Sequence, residues 1–515
     1  MNMNRPCKAF AAACWLASSL AAAAPAAEPV QARLVVESQT AGPRIDPDIY
    51  GQFAEQLGAG IYGGIWVGPE SPIPNTRGWR KDVVQALRHL EVPVVRWPGG
   101  CFADDYDWRD GIGDPAKRPV RLNRWWGGVP ESNRVGTHEF MDLAEQIGAE
   151  VVIAGNMGSG TPREMSQWLE YMTATGPSAL TDERRRNGRD KPWKVKYLGV
   201  GNESWGCGGN MRPEYQSDLH NRYATFTSGG VQRVASGDGT GNDHLIETLM
   251  QRSLDHMDAL TLHYYTMTGD WSKKGPALGF AASEWGRSLR TARAIEPRIV
   301  AIETIMDKYD PKRRVGLYVD EWGTWYDSEP GTNPGFLYQQ NTLRDALVAA
   351  LTLDVFQRHT DRVRMTSIAQ MVNVLQSMVL ADGPRMLLTP TYHVFDMYRP
   401  FKGATPLKAT LTTPQWGQGE DELPAVEASV ARGADGRTVL SLVNLDPDRA
   451  ARVRTNLKGE FRGRILTSTT MDAHNTFDRP HAIEPAPYAA RSDAEGLTID
   501  LPAKSVVVLG AAAQP

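Results

Sequence analysis

The chain has 515 residues, enough to bury a large core and to fold as two domains. Charged residues make up 23%, hydrophobic residues 41% and the formal net charge is −4, which is ordinary for a globular protein. With no long basic block, nucleic acid and an anionic membrane surface are set aside as partners.

In chain order, the first feature reads as a leader. Arg5 and Lys8 precede "AFAAACWLASSLAAAA", an apolar stretch too short and too Ala-rich to span a bilayer, and Ala24-Pro25-Ala26 fits a small-x-small cleavage site. A signal peptide over 1–26 predicts an exported protein, periplasmic or secreted, with reach to larger extracellular substrates. A strand follows at "ARLVVESQ" (32–39).

From about residue 49, short β-rich runs alternate with helical patterns. The runs are "IYGQFAEQ" (49–56), "VPVVRWPGG" (92–100), "EVVIAGN" (150–156), "KVKYLGVGNE" (194–203), "GVQRVASG" (230–237), "MDALTLHYY" (257–265), "VGLYVDEWG" (315–323) and "MTSIAQMV" (365–372). Among the helices, "TPREMSQWLEYMT" has Thr161 as N-cap, Pro162 at the first helical position and Glu164 three after the cap, a capping box. Arg184, Arg185 and Arg186 read as a solvated loop, and "QNTLRDALVAALTLDVFQRH" as a long amphipathic helix. Eight strands alternating with helices predict a (β/α)8 TIM barrel over 45–395. No Gly-rich dinucleotide fingerprint follows the first run, which argues against a doubly wound sheet. Beyond it, "TVLSLVNLD", "ARVRTNL", "GLTIDL" and "SVVVLG" alternate with period two. They predict a β-sandwich over 396–515, joined by the N-terminal strand 30–42.

The working residues of such a barrel sit at the C-terminal ends of its strands. Glu55 closes the first run, Arg96 the second, Asn156 the third and Asn202-Glu203 the fourth. His263 and Tyr265 close the sixth, Asp320-Glu321 the seventh, and Gln370 lies in the eighth. Taken singly these are bland: a Glu at a strand end is a solvated turn, His263 a satisfied core histidine, Cys101 a small buried apolar group, Arg96 a structural ion pair. Glu203 and Glu321 together are not, because each follows an apolar strand, each precedes a Trp, and their strands stand three apart in the barrel. Paired carboxylates among aromatic and amide groups suit glycosidic bond cleavage. Trp205, Trp322 and Trp325 offer flat faces for sugar rings, in a chain with 15 tryptophans. Cys7 and Cys14 leave with the leader, and Cys101 and Cys207 cannot form a disulfide framework. No C-x-x-C and no spaced His cluster is present, so neither a metal nor a cofactor is assigned.

On the stretches "YGQFAEQLGAGIYGGIWVG", "VVRWPGGCFADDYDWRDGIG", "VKYLGVGNESWGCGGNMRPEY", "VDEWGTWY" and "EPGTNPGFLYQQNTLRDALVAALTLDVF", the chain resembles the α-L-arabinofuranosidases of glycoside hydrolase family 51. The resemblance implies a (β/α)8 barrel with a C-terminal jelly-roll β-sandwich. It implies an exo-acting, retaining enzyme that needs no cofactor and releases terminal arabinofuranose from arabinoxylan, arabinan or derived oligosaccharides. Glu203 would be the acid/base and Glu321 the nucleophile. Glu55, Arg96, Cys101, Asn202, His263, Tyr265, Trp325 and Gln370 would contact the substrate. Retention predicts carboxyls roughly 5–5.5 Å apart. The family often forms oligomers, so a homo-oligomer is expected, with Cys101 a free thiol beside the sugar rather than bridged to Cys207. Gln56, Ala59-Gly60 and Ser204 depart from the family's usual residues without removing a catalytic group. Two other readings keep the same residues: a retaining endo-β-glucanase or xylanase, which would need an open groove, and a non-catalytic carbohydrate-binding protein.

Overall fold

Eight short runs rich in Val, Ile, Leu and Tyr form a closed parallel barrel in a computed structural model of the chain, which describes residues 28–227, 230–417, 419 and 422–512. The leader read over 1–26 lies outside the described residues. The strands are β1 (Gly51–Phe53), β2 (Val94–Trp97), β3 (Glu150–Gly155), β4 (Tyr197–Val200), β5 (Gln232–Asp238), β6 (Ala259–Thr266), β7 (Gly316–Thr324) and β8 (Val363–Ala369). All eight predicted runs are present. β8 pairs with β1 through Ser367 and Gly51, which closes the ring.

The barrel interior is packed, as side-chain layers require. Val94, Val152, Tyr197, Val234, Ala259, Tyr318 and Met365, one from each of β2 to β8, form a separate buried cluster. Its polar tips are satisfied: the Tyr197 hydroxyl donates to Asp48 Oδ2 at 2.6 Å and the Tyr318 hydroxyl to Gln232 Oε1 at 2.8 Å. The strand-end carboxylates lie beyond this layer, toward the C-terminal face.

The sandwich is built around a nine-stranded sheet. The strand Val30–Thr40 enters it antiparallel to Thr405–Thr412 and parallel to Ala451–Thr455. Its period-two pattern explains the placement, since Val30, Ala32, Leu34 and Val36 are buried and the residues between them exposed.

The helix Leu343–Arg358 is not amphipathic in the expected sense: every residue from Leu343 to Gln357 is buried. It lies between barrel and sandwich, so its polar side chains are bonded internally. Ser441 and Tyr398 donate to Asp354 Oδ1 at 2.7 and 3.1 Å, and Ser429 donates to Gln357 Oε1 at 2.6 Å. A polar stripe marks solvent only when no second domain covers it. The basic cluster is also corrected. Arg184 to Arg186 form the last turn of the helix Ala179–Arg186, and Arg184 is buried, donating to the carbonyls of Tyr171 and Ala174 at 2.8 and 3.0 Å. Among the described residues no helix is long and apolar enough to cross a membrane.

Arg362, ahead of β8, is fully buried and donates to Asp310 Oδ2 at 2.8 Å, to Asp307 Oδ1 at 2.7 Å and to the Asp310 and Val315 carbonyls. Arg362→Ala is expected to destabilise the protein by about 3–5 kcal/mol, because the buried Asp310 loses its countercharge. Chemical denaturation would measure it, and a loss within about 1 kcal/mol, the worth of an exposed pair, would show the cluster to be no more than surface charge pairing.

Candidate active site

At the C-terminal face, β4 ends at Val200 and the chain turns sharply across the barrel mouth. Glu203 takes φ +41°, a left-handed conformation rare for a residue with a Cβ. The Gly206 and Gly208 amides hold the turn by donating to the Glu203 carbonyl at 2.7 and 3.1 Å. A Cβ on Gly208 would fall 2.0 Å from the Asn202 carbonyl oxygen, so only glycine lets the turn close this tightly. Asp104 braces it from below. Its Oδ2 accepts from the Asn202 amide at 2.8 Å, and its Oδ1 accepts from the Met157 and Gly158 amides at 2.7 and 2.9 Å. One buried carboxyl thus ties the loop after β2 to the tips of β3 and β4. Burial pushes it up to about 7 despite those bonds.

Glu321, on β7, is gripped from both sides. Arg96 Nη1 donates to Oε1 at 2.8 Å and the Tyr265 hydroxyl donates to Oε2 at 2.8 Å. Arg96 Nη2 also donates to Asn202 Oδ1 at 2.6 Å, and its Nε pairs with Asp320 Oδ2 at 3.1 Å. His263 links the two glutamates: Nδ1 lies 3.0 Å from Glu203 Oε1 and 3.5 Å from Glu321 Oε2, while Nε2 pairs with Asp320 Oδ1 at 3.2 Å. Burial works against the charge on His263, but Glu321, Asp320 and Glu203 outweigh it and hold the ring well above its ordinary range, as imidazolium. Burial and the Glu321 charge push Tyr265 well up, so it stays a phenol and a donor. Burial opposes ionisation of Asp320, yet Arg96 and His263 win and pull it below its usual value.

A second polar knot forms the far wall. Glu55 Oε1 accepts from the Gly100 amide at 3.0 Å, the Phe102 amide at 3.3 Å and Trp126 Nε1 at 2.8 Å, and Gln370 Nε2 donates to Oε2 at 3.2 Å. Burial, with the Glu321 charge, pushes Glu55 up to about 7 against these bonds.

Glu55, Cys101, Glu203, His263, Tyr265, Glu321, Trp325 and Gln370 line one cavity of about 710 Å³. Arg96 and Asn202 lie just outside its lining: Arg96 donates to Glu321, and Asn202 accepts from Arg96. The two glutamates and the eight residues expected to contact the substrate are therefore in one place. A larger hollow of about 960 Å³ lies between the helix Pro390–Tyr398 and the sandwich, but charged side chains such as Asp435, Arg437 and Arg462 line it, and these are largely exposed. The carboxylate pair and its ionic network mark the smaller cavity as the site.

Three expectations are corrected. Trp322 does not face the cavity. It is 1% exposed, stacks with Phe395 at 6.2 Å and donates to Thr366 Oγ1 at 3.0 Å, because the residue after the inward Glu321 points to the helices. Asn156 bonds the Tyr106 carbonyl and the Ser159 and Gly160 amides and does not line the cavity. Cys101 is not a free thiol: it is bonded to Cys207, 106 residues away, with a Cα–Cα distance of 5.5 Å. The barrel carries the loops after β2 and β4 to the same end, which separation in sequence hid. Cys101 Sγ and Cys207 Sγ lie 3.8 and 3.4 Å from Glu203 Oε2. A bonded sulfur has no proton to donate, so these are packing contacts that form the wall behind Glu203.

Two groups bring ligand-type atoms within 4.8 Å of one another: Glu203, His263 and Glu321, and Cys101, Glu203 and Cys207. The disulfide removes the thiolates of the second group, and in the first His263 is already engaged with Glu203, Glu321 and Asp320. The sequence reading missed Asp104 and Trp126, and it named Asp320 at the tip of the seventh run without giving it a contact. Strand alternation predicts opposite faces for Asp320 and Glu321, but pairing with β8 slips between Val319 and Trp322 and both carboxyls turn inward.

Comparisons with known proteins match most of the chain. The family model of the α-L-arabinofuranosidase 1 domain matches residues 86–274, and that of the α-L-arabinofuranosidase C-terminal domain matches residues 320–505. An intracellular exo-α-L-arabinofuranosidase of Bacteroides ovatus is 48% identical over 476 residues, covering 90% of this chain and 92% of that protein. The crystal structure of the family 51 arabinofuranosidase from Xanthomonas axonopodis pv. citri superposes with a TM-score of 0.91 at 49% identity, over 94% of this chain and 99% of the other. An arabinose complex of the Thermotoga maritima α-L-arabinofuranosidase gives 0.83 at 27% identity, over 93% and 99%. The Bacteroides relative also overturns the expected export, since that enzyme is named intracellular. That expectation rested on Arg5 and Lys8, the Ala-rich stretch and Ala24-Pro25-Ala26, all read from sequence alone.

Proposed function

The chain belongs to the α-L-arabinofuranosidases of glycoside hydrolase family 51, hydrolases of arabinose-containing glycans, and from that premise we propose a retaining, exo-acting double displacement carried by Glu203 and Glu321 on arabinoxylan, arabinan or their oligosaccharides. The observation that carries the mechanism is that one carboxyl oxygen of each glutamate lies within 4.8 Å of the other. Retaining enzymes hold their carboxyls about 5–5.5 Å apart and inverting enzymes about 6.5–9.5 Å, so this closeness favours retention.

Glu321 is the nucleophile. Arg96 and Tyr265 fix both its oxygens and stabilise its charge, so the carboxylate is aimed before substrate arrives. An oxygen of Glu321 attacks the anomeric carbon while Glu203 passes its proton to the departing glycosidic oxygen, leaving an arabinosyl ester on Glu321. Glu203, now a base, takes a proton from water. The hydroxide attacks the same carbon, frees the Glu321 carboxylate and releases arabinose with its original configuration. The Glu203 side chain is 20% exposed against 8% for Glu321, which suits a group that must meet the incoming water.

The wall of Glu55, Gln370 and Trp126, whose polar groups are bonded to one another, suits a terminal sugar seated against it and so supports exo action. Glu55 and Gln370 are placed to bond ring hydroxyls, and Asn202, oriented by Arg96, to bond the hydroxyl beside the reacting carbon. An endo-acting β-glucanase or xylanase would need an open groove instead. Proton NMR of p-nitrophenyl α-L-arabinofuranoside during hydrolysis tests the mechanism: the α-anomer is expected as the first product, and a first-formed β-anomer would sink the double displacement.

A further inference from the structure

Resting on the reading above, we propose that Trp271 is the platform for the leaving group, taking a pyranose unit of the main chain that bears the arabinofuranosyl branch. Trp271 lies in the loop after β6 and is 59% exposed, yet it lines the same cavity as both glutamates. It is the outer member of an aromatic series that starts at the nucleophile. Tyr265, whose hydroxyl bonds Glu321, meets Trp325 edge-on at 4.9 Å, and Trp325 meets Trp271 edge-on at 5.3 Å.

The loop is built to hold this exposed indole still. Asp270 Oδ1 accepts from the Ser272 amide and hydroxyl and from the Lys273 amide, at 2.8, 2.5 and 3.1 Å. Asp327, in the segment after β7, accepts from the Lys274 and Gly275 amides at 3.2 Å each. A Cβ on Gly269 would fall 2.0 Å from the Lys273 carbonyl oxygen, so the turn closes only with glycine there. Lys274 donates to the Trp271 carbonyl at 3.0 Å and sets its ammonium 5.8 and 5.7 Å from the Trp271 and Trp325 rings. A loop tied at both ends, holding a large apolar face in water at a cavity rim, is the arrangement expected of a binding surface rather than of scattered surface apolarity.

The shape of the face selects the ligand. A β-linked xylopyranose chair has equatorial hydroxyls and presents flat C–H faces, which match an indole plane. A furanose ring is puckered, with hydroxyls displaced to both faces. The platform therefore favours a xylan main chain over an all-furanose arabinan chain.

The test compares Trp271→Ala with the parent on an arabinofuranosyl-substituted xylotriose, a linear arabinan trisaccharide and methyl α-L-arabinofuranoside. For Trp271→Ala, kcat/KM is expected to fall about tenfold more on the substituted xylotriose than on the methyl glycoside, mostly through KM, with Trp271→Phe retaining most of the difference. Inhibition by unsubstituted xylotriose should weaken by a similar factor. Equal changes on all three substrates, or no change in xylotriose inhibition, would overturn the platform while leaving the furanosidase reading intact. A larger loss on the arabinan trisaccharide would assign the platform to furanose chains and reject the pyranose proposal. A parent inactive on every arabinofuranoside would sink the furanosidase reading and the platform with it.

Discussion

Glu321→Gln is expected to lower kcat on p-nitrophenyl α-L-arabinofuranoside by about 10⁴-fold or more, with little change in fold or in arabinose binding. The amide fills the carboxylate's space, and its carbonyl can still accept from Arg96 or Tyr265. What it lacks is the charge and nucleophilicity needed to form the arabinosyl ester. The substitution should not collapse the site, because the buried Arg96 keeps an anionic partner in Asp320, 3.1 Å from its Nε. Steady-state rates beside a melting curve measure both sides of the expectation. Turnover within tenfold of the parent would remove Glu321 from the nucleophile's role, whatever its place in the ionic network.

The second large effect belongs to Glu203, and its signature is a dependence on the leaving group. Glu203→Ala is expected to cost about 10²–10⁴ in kcat/KM on oligosaccharides, whose leaving alcohol needs a proton. The loss should be much smaller on p-nitrophenyl arabinofuranoside, whose phenolate departs unaided. There the arabinosyl ester on Glu321 should accumulate, because water loses its base. Azide needs no base, so added azide should attack the ester and restore turnover as arabinosyl azide. A series of aryl arabinofuranosides with increasingly basic phenols would show the rate falling steeply for the variant and little for the parent. The same loss for every leaving group, with no azide rescue, would mean that Glu203 acts only by supporting His263, 3.0 Å away.

The strength of these two expectations rests on features that were legible at different levels. Glu203 and Glu321 were readable because a carboxylate at the tip of an apolar strand breaks the local pattern, and the barrel's eight periodic runs supply the geometry that unites them. His263, Tyr265, Arg96 and Gln370 were found by the same logic of polar residues at strand ends. Asp104 was not, because it sits in a short 3-10 turn after β2 where an acidic residue is unremarkable. Its role comes from three amides on other loops. Trp322 misled because sequence adjacency to Glu321 looked like membership of the site, while the pleat sends neighbours to opposite faces.

Local chemistry determined the elements, since hydrophobic period, capping boxes and strand-end polarity are all encoded within a few residues of each other. That was enough for the barrel, the β-sandwich texture, the glutamate pair and the class of reaction. Tertiary structure alone decided the rest. It closed the Cys101–Cys207 bridge across 106 residues, turned Asp320 inward beside Glu321 through a slip in pairing, buried the polar face of the helix Leu343–Arg358 under the sandwich and set Trp271 in line with Trp325 and Tyr265. Each of these depends on contacts between segments distant in the chain, and no local pattern constrains which distant segments meet once a barrel has carried eight loops to the same end.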